Sequence, residues 1–215
     1  MAKKKQTINI SSLIITGVAV LLAVSAVVFL LFFMSDSQEE QPAETTPAET
    51  EFNPPSELLQ SAELAAPDLL TNNYKAYQYF TQGMSYEQEP YGNKPEDGFY
   101  TCSNDTYKTF EQFSDFIKSI YTEKAAEKLL TDPYGKGAVF ADRKGQLGIS
   151  YEFIESGRIE DNGISWENGK YSFTLTSDTE CDVEITLKDK DDKDVIIKTK
   201  LILEKDVWKL AEMVG

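Results

Sequence analysis

Histidine does not occur anywhere in the 215 residues, and cysteine occurs only at Cys102 and Cys181. Without an imidazole, Ser–His and Cys–His nucleophilic catalysis and ordinary His-containing zinc sites are excluded within the chain. Basic residues are scarce too: 21 Lys and Arg stand against 36 Asp and Glu, giving a formal net charge of −15. With the lysines at 3, 4 and 5 set aside, the chain from Ser35 onward carries −18. Such a surface repels nucleic acid, anionic headgroups and anionic polymers, and attracts a cationic protein face.

What the chain does have is one long apolar run. Residues 13–34, LIITGVAVLLAVSAVVFLLFFM, carry no charge and are interrupted only by Thr16, Gly17 and Ser25. A helix of that length rises about 33 Å and covers the roughly 30 Å hydrocarbon layer. Lysines before it and acids after it predict a single-pass signal-anchor: a cytosolic tail at 1–12 and everything after the helix outside the cytoplasm. A cleaved signal peptide ending near Val24-Ser25-Ala26 is the alternative. It would leave VVFLLFFM behind, and its apolar run exceeds the usual h-region.

Residues 35–67 read as an acidic Pro/Glu/Thr-rich linker, with Pro-Ala-Glu-Thr repeated at 42–45 and 47–50. Too little apolar surface is present there to offset the entropy of ordering, so a solvated tether is expected. Residues 68–215 then form one extracytoplasmic domain of ordinary size, large enough to bury a core. Leu58, Leu59, Ala62 and Leu64 hint at a short helix ended by Pro67. Asp68 caps a second, with Leu69, Leu70, Tyr74, Tyr77, Phe80 and Met84 at helical spacing. Thr109 and Gln112 form a capping box for an amphipathic helix, and Thr122 opens another that Asp132-Pro133 stops. After that the period changes: Val139-Phe140 and Leu147–Ile149 flank ADRKGQ, Tyr151, Phe153, Ile159 and Ile164 continue as β-type runs, and Asn168-Gly169 marks a hairpin. Helices followed by an antiparallel meander predict an α+β domain, its helices packed on one curved sheet.

Several patterns resolve to turns. Acids at 189, 191 and 194 mimic a calcium loop, but Asp194 replaces its glycine and Lys200 its bidentate acid, so a charged hairpin tip is expected. Gly135 and Gly137 are turn residues, since no phosphate loop has that context. Glu167 beside Trp166 is the best single acid for proton transfer, yet nothing around it marks a shifted pKa. No catalytic residue, metal ligand or cofactor is therefore assigned. A disulfide between Cys102 and Cys181 is open outside the cytoplasm.

The segment 84–107 is a long irregular loop in which aromatics alternate with acids. Its composition suits a protein-binding surface, or a lid folded over the core. The candidate contact residues are Tyr86, Glu87, Glu89, Tyr91, Glu96, Asp97 and Tyr100, with Asp132, Tyr134 and Asp142 beside them.

The runs TFEQFSDFIKSIYTEKAAEKLL (109–130), FADRKGQLGI (140–149) and KDVWKLAEM (205–213) resemble the IseA-type DL-endopeptidase inhibitor family of Gram-positive bacteria. The likeness spans about residues 68–214. It implies a cystatin-like or NTF2-like domain that binds an NlpC/P60-type cell-wall peptidase, blocks its cleft and restrains autolysis. The partner implied is that protein, with no nucleic acid and no small-molecule substrate. The alternatives are an NTF2-like small-ligand pocket and an assembly factor for the cell-envelope machinery.

Overall fold

The computed structural model describes residues 55–157, 159 and 162–215, with the backbone but not the side chain of Glu167. The expected tail, the anchor at 13–34 and most of the linker lie outside these residues. Among the described residues no helix is long and apolar enough to cross a membrane. The described part is α+β, as the change of period along the chain predicts.

Helix α1 runs unbroken from Ser56 to Gln82 with Pro67 inside it. Two helices separated at Pro67 were the expectation, because a mid-helix proline removes one amide donor and costs about 3 kcal/mol. Packing outweighs that cost: Ala62, Ala66, Leu70, Asn73, Ala76 and Phe80 form one buried stripe, while Pro67 sits on the exposed side. Residues 56–67, at the end of the expected linker, are therefore part of this helix. Trp208 Nε1 donates to Ser61 Oγ at 2.8 Å, fastening this first part of the helix to the last strand.

Two sheets replace the single one expected. β1 (Phe99–Thr101), β2 (Phe140–Arg143) and β3 (Gln146–Ser150) form an antiparallel sheet in the order β1-β3-β2. β4 (Ser165–Ser177), β5 (Glu180–Lys188), β6 (Asp194–Glu204) and β7 (Val207–Leu210) form an antiparallel meander. The sheets separate because Ser150 caps a short helix rather than continuing a strand. Its hydroxyl accepts from Phe153 N at 3.3 Å and opens α4, Tyr151–Glu155. Helices α2 (Phe110–Ile120) and α3 (Glu123–Thr131) come between β1 and β2 in the chain, and the Phe113 ring packs at a tilt 4.6 Å from that of Phe140 and 6.0 Å from that of Phe80. Across the meander, Leu175, Val183, Ile185, Leu187 and Leu201 fill the face turned to α1.

Asn168-Gly169 does not reverse the chain. β4 pairs with β5 on both sides of it, at Ser165↔Lys188 and again at Lys170↔Thr186, so the extra residues form a bulge. Asn168 takes a left-handed φ of 59° there. The 189–194 segment is a hairpin tip, as expected. Asp189 Oδ1 accepts from the amides of Asp191 and Lys193 at 2.8 and 2.9 Å, which commits that carboxylate to closing its own turn. Lys205 and Asp206, both at positive φ, make the β6–β7 turn.

The expected caps are present. Thr109 Oγ1 accepts from Gln112 N while Gln112 Oε1 accepts from Thr109 N, and Thr122 Oγ1 accepts from Ala125 N. The α2–α3 corner is also held from the meander. Lys209 Nζ donates to the carbonyls of Lys118 and Ser119 at 2.9 and 2.6 Å, and Glu204 Oε2 accepts from Glu123 N at 3.1 Å. A cation thus meets the carboxyl end of one helix and an anion the amino end of the next, each complementing a helix dipole. Lys209→Met is expected to cost about 1 kcal/mol, read as a small drop in the thermal midpoint.

Candidate protein-binding loop

Gly83, at a φ of 76°, turns the chain out of α1 towards the first sheet. Residues 85–87 run antiparallel to the outer edge of β1, where Glu87 N donates to Thr101 O and Ser103 N to Ser85 O. From there to Gly98 the chain returns to β1 along a path that Arg143 controls. Standing at the end of β2, Arg143 donates from Nε to Asp97 at 3.0 Å, from Nη2 to Glu89 at 2.6 Å and from Nη1 to Thr101 Oγ1 at 3.1 Å. Its side chain is only 14% exposed. Because β3 separates β2 from β1, the arginine must cross the middle strand, and it does so beside Gly148. A Cβ on Gly148 would lie 3.0 Å from that of Arg143 and 3.2 Å from that of Phe99.

Smaller contacts complete the frame. Lys94 Nζ lies 4.8 Å from the centre of the Tyr151 ring, Pro95 is buried, and Gly98 N donates to Pro95 O. Tyr86 and Tyr100 stack at 4.7 Å, with Tyr151 5.9 Å beyond Tyr100. On this frame the turn Pro90–Gly92 carries Tyr91, fully exposed and with a left-handed φ of 62°. Beside it lies an open concavity of about 960 Å³ lined by Glu89, Asn93, Lys94, Asp97, Arg143 and Lys144.

The sequence-predicted contact residues divide into three groups. Glu87, Tyr91 and Glu96 are exposed, and neither acid makes an ion pair among the described residues. Glu89 and Asp97 are paired with Arg143, and Tyr86 and Tyr100 form the stack beneath the loop, with Tyr100 buried. Asp132 and Asp142 accept from the amides of Gly137 and Gly145 in their own turns. Tyr134 donates its hydroxyl to Phe80 O and lines a separate groove with Val139, Phe153 and Ile159. Both Cys102 and Cys181 are free thiols: one sits beside β1, the other in the buried row of β5, so the possible disulfide is not formed. Burial pushes the Cys102 thiol up to about 12.

Arg143 is the residue whose role the sequence did not show, since it stood only within the Asp142–Gln146 turn expected beside the loop. Its hydrogen bond holds the Asp97 carboxyl below the usual carboxylate range. A carboxylate so held is a poor proton carrier at neutral pH and a good structural anion. A group whose folded pKa is depressed contributes its stability above the unfolded value and loses it as pH falls through the folded one. The latch is therefore expected to be at full strength above about pH 4 and to weaken below it. Amide protection in 88–98, taken relative to the intrinsic exchange rate at each pH, should fall on acidification, and Arg143→Met should lower it at every pH. Among the described residues no group of three His, Cys, Asp or Glu side chains could hold a metal ion. No protein-family model matches the chain, and no curated protein matches it.

Proposed function

We propose that this chain is a membrane-anchored, extracytoplasmic binding protein that inhibits a cell-wall DL-endopeptidase of the NlpC/P60 type, without catalysis of its own. Residues 13–34 serve as the anchor in this reading, and the domain acts from the outer side. The observation that carries the binding mode is Tyr91, fully exposed on a loop that Arg143 braces from beneath. An aromatic ring displayed on a braced loop loses little entropy on docking and suits insertion into a cleft. The net charge of −15 and the free carboxylates of Glu87 and Glu96 favour a cationic partner and hasten its approach. The resemblance of 109–130, 140–149 and 205–213 to the inhibitor family supplies the class of partner. A small-ligand pocket between α1 and the meander is disfavoured, because Leu175, Val183, Ile185 and Leu201 already occupy that face.

The test uses the full chain in neutral detergent with purified wall peptidases, reading both binding and hydrolysis of a wall peptide. Tyr91→Ala is expected to weaken binding by about thirtyfold, the scale of an interface hot spot of roughly 2 kcal/mol. Glu87→Gln with Glu96→Gln should slow association and flatten its salt dependence. Failure to bind any such peptidase overturns the function, and binding indifferent to Tyr91→Ala removes the loop from it.

A further inference from the structure

We infer that Asn162-Gly163 is a modification site at which the folded chain converts asparagine to isoaspartate and aspartate, while the same dipeptide at Asn168-Gly169 is spared. The chain has these two Asn-Gly pairs and no other. Glycine leaves its amide nitrogen open to attack the preceding carboxamide, because no side chain stands in the way. The two pairs are equivalent as sequence. Their surroundings in the fold are not.

Asn162 is exposed, lies outside every helix and strand, and accepts at Oδ1 from Ile164 N at 3.0 Å. A bond from the amide two places on makes an Asx-turn, which folds the carboxamide back over the intervening peptide, here that of Gly163. The deprotonated Gly163 nitrogen attacks Asn162 Cγ, and negative charge develops on Oδ1. The Ile164 N–H already donates to that oxygen, so it stabilises the charge as it forms. The Cγ–Nδ2 bond then breaks and ammonia leaves, carrying the equivalent of the Gly163 proton. A cyclic imide remains. Water opens either of its carbonyls, giving aspartate or, with one more carbon in the main chain, isoaspartate. One water is consumed for each ammonia released, and nothing is oxidised or reduced.

Among the described residues the Asn168 carboxamide has no such donor. Its backbone is held at a φ of 59° inside β4, which pairs with β5 on both flanks. Gly169 is crowded as well: a Cβ there would lie 2.8 Å from Leu187 Cδ2 and 3.3 Å from the Tyr171 hydroxyl. Closing an imide at that point requires the strand to lift from β5, so conversion waits on local opening. At 162 the product fits the fold. Ile159 is tied to the end of α1 through Thr81 and Gln82, and β4 starts at Ser165, so the added carbon is taken up between fixed points. Gly163 lies against the side chain of Lys190, an exposed cation in no ion pair among the described residues, which meets the new carboxylate.

The test incubates the full chain in neutral detergent at mildly alkaline pH, with and without urea. Peptide mass spectrometry locates the converted residue, and enzymatic methylation of isoaspartyl carboxylates counts it. In the native chain Asn162 is expected to convert about tenfold or more faster than Asn168, and at least as fast as it does in urea. In urea the two sites should convert alike. N162Q should remove most of the ammonia release from the native chain and N168Q should leave it unchanged. Equal native rates at 162 and 168 overturn the inference. So does an Asn162 rate lower in the folded chain than in urea, or a folded N162Q that still releases ammonia at the wild-type rate.

Discussion

Asn73→Leu will destabilise the domain by about 3 kcal/mol, lowering its thermal midpoint by roughly 6–12 °C for a domain of this size. Asn73 is fully buried on α1, and its amide serves three partners at once. Oδ1 accepts from the Tyr121 hydroxyl at 2.9 Å and from Val214 N at 3.1 Å, while Nδ2 donates to Val214 O at 2.7 Å. The first helix, the α2–α3 junction and the C-terminal segment are thus joined through one side chain. Leucine has the same branching and the same number of heavy atoms and leaves no void, so the loss arises from stranded polar groups rather than from a cavity. Tyr121 is 1% exposed and has no water to turn to. Tyr121→Phe removes only one of the three bonds and should cost about 1 kcal/mol. Chemical denaturation of both single variants and the double variant gives the coupling between them. Additive losses would show that the network does not act as a unit.

Gly148→Val is expected to be about as damaging, at roughly 3 kcal/mol, and for the opposite reason. The added Cβ has the Arg143 and Phe99 side chains at 3.0 and 3.2 Å, and the carbonyl of Ala141 at 3.4 Å. Neither neighbour can yield freely, because one carries the guanidinium across the sheet and both sit on adjoining strands. The valine therefore either parts the strands or displaces the arginine, and in the second case Glu89 and Asp97 lose their common partner. Gly148→Ala should show the smaller version of the same defect. Loop protection measured by amide exchange distinguishes the routes: a displaced arginine frees 88–98 while the rest of the domain stays protected. A Gly148→Val protein with native stability and a protected loop would remove the crossing from the account.

The features that could be read from the sequence are those settled by neighbours in the chain. Thr109 with Gln112 and Thr122 with Ala125 lie three residues apart, and each cap appears where the spacing puts it. Pro67 was misread because its local cost is real, while the compensation from Ala62, Ala66 and Leu70 comes from surfaces distant in sequence. Asn168-Gly169 has the conformational freedom of a hairpin turn, but whether the chain reverses depends on which strand lies alongside. β5 lies along both flanks, so the chain continues. Tyr151 to Ile154 is too short for a period of two to be told from a period near four, and the Ser150 cap decided the matter. The loop 84–107 was marked as unusual by composition, yet its brace spans 46 residues to Asp97 and 54 to Glu89. Asn73 lies 48 residues from Tyr121 and 141 from Val214. Nothing local marks such partners.

The two sulfurs of this domain lie on different sheets, each alone and shielded by its surroundings. At neutral pH so little of the Cys102 thiol ionises that exchange with outside disulfides is slow. Assembly therefore requires no oxidase and no isomerase, and the finished molecule is indifferent to the redox poise of its surroundings.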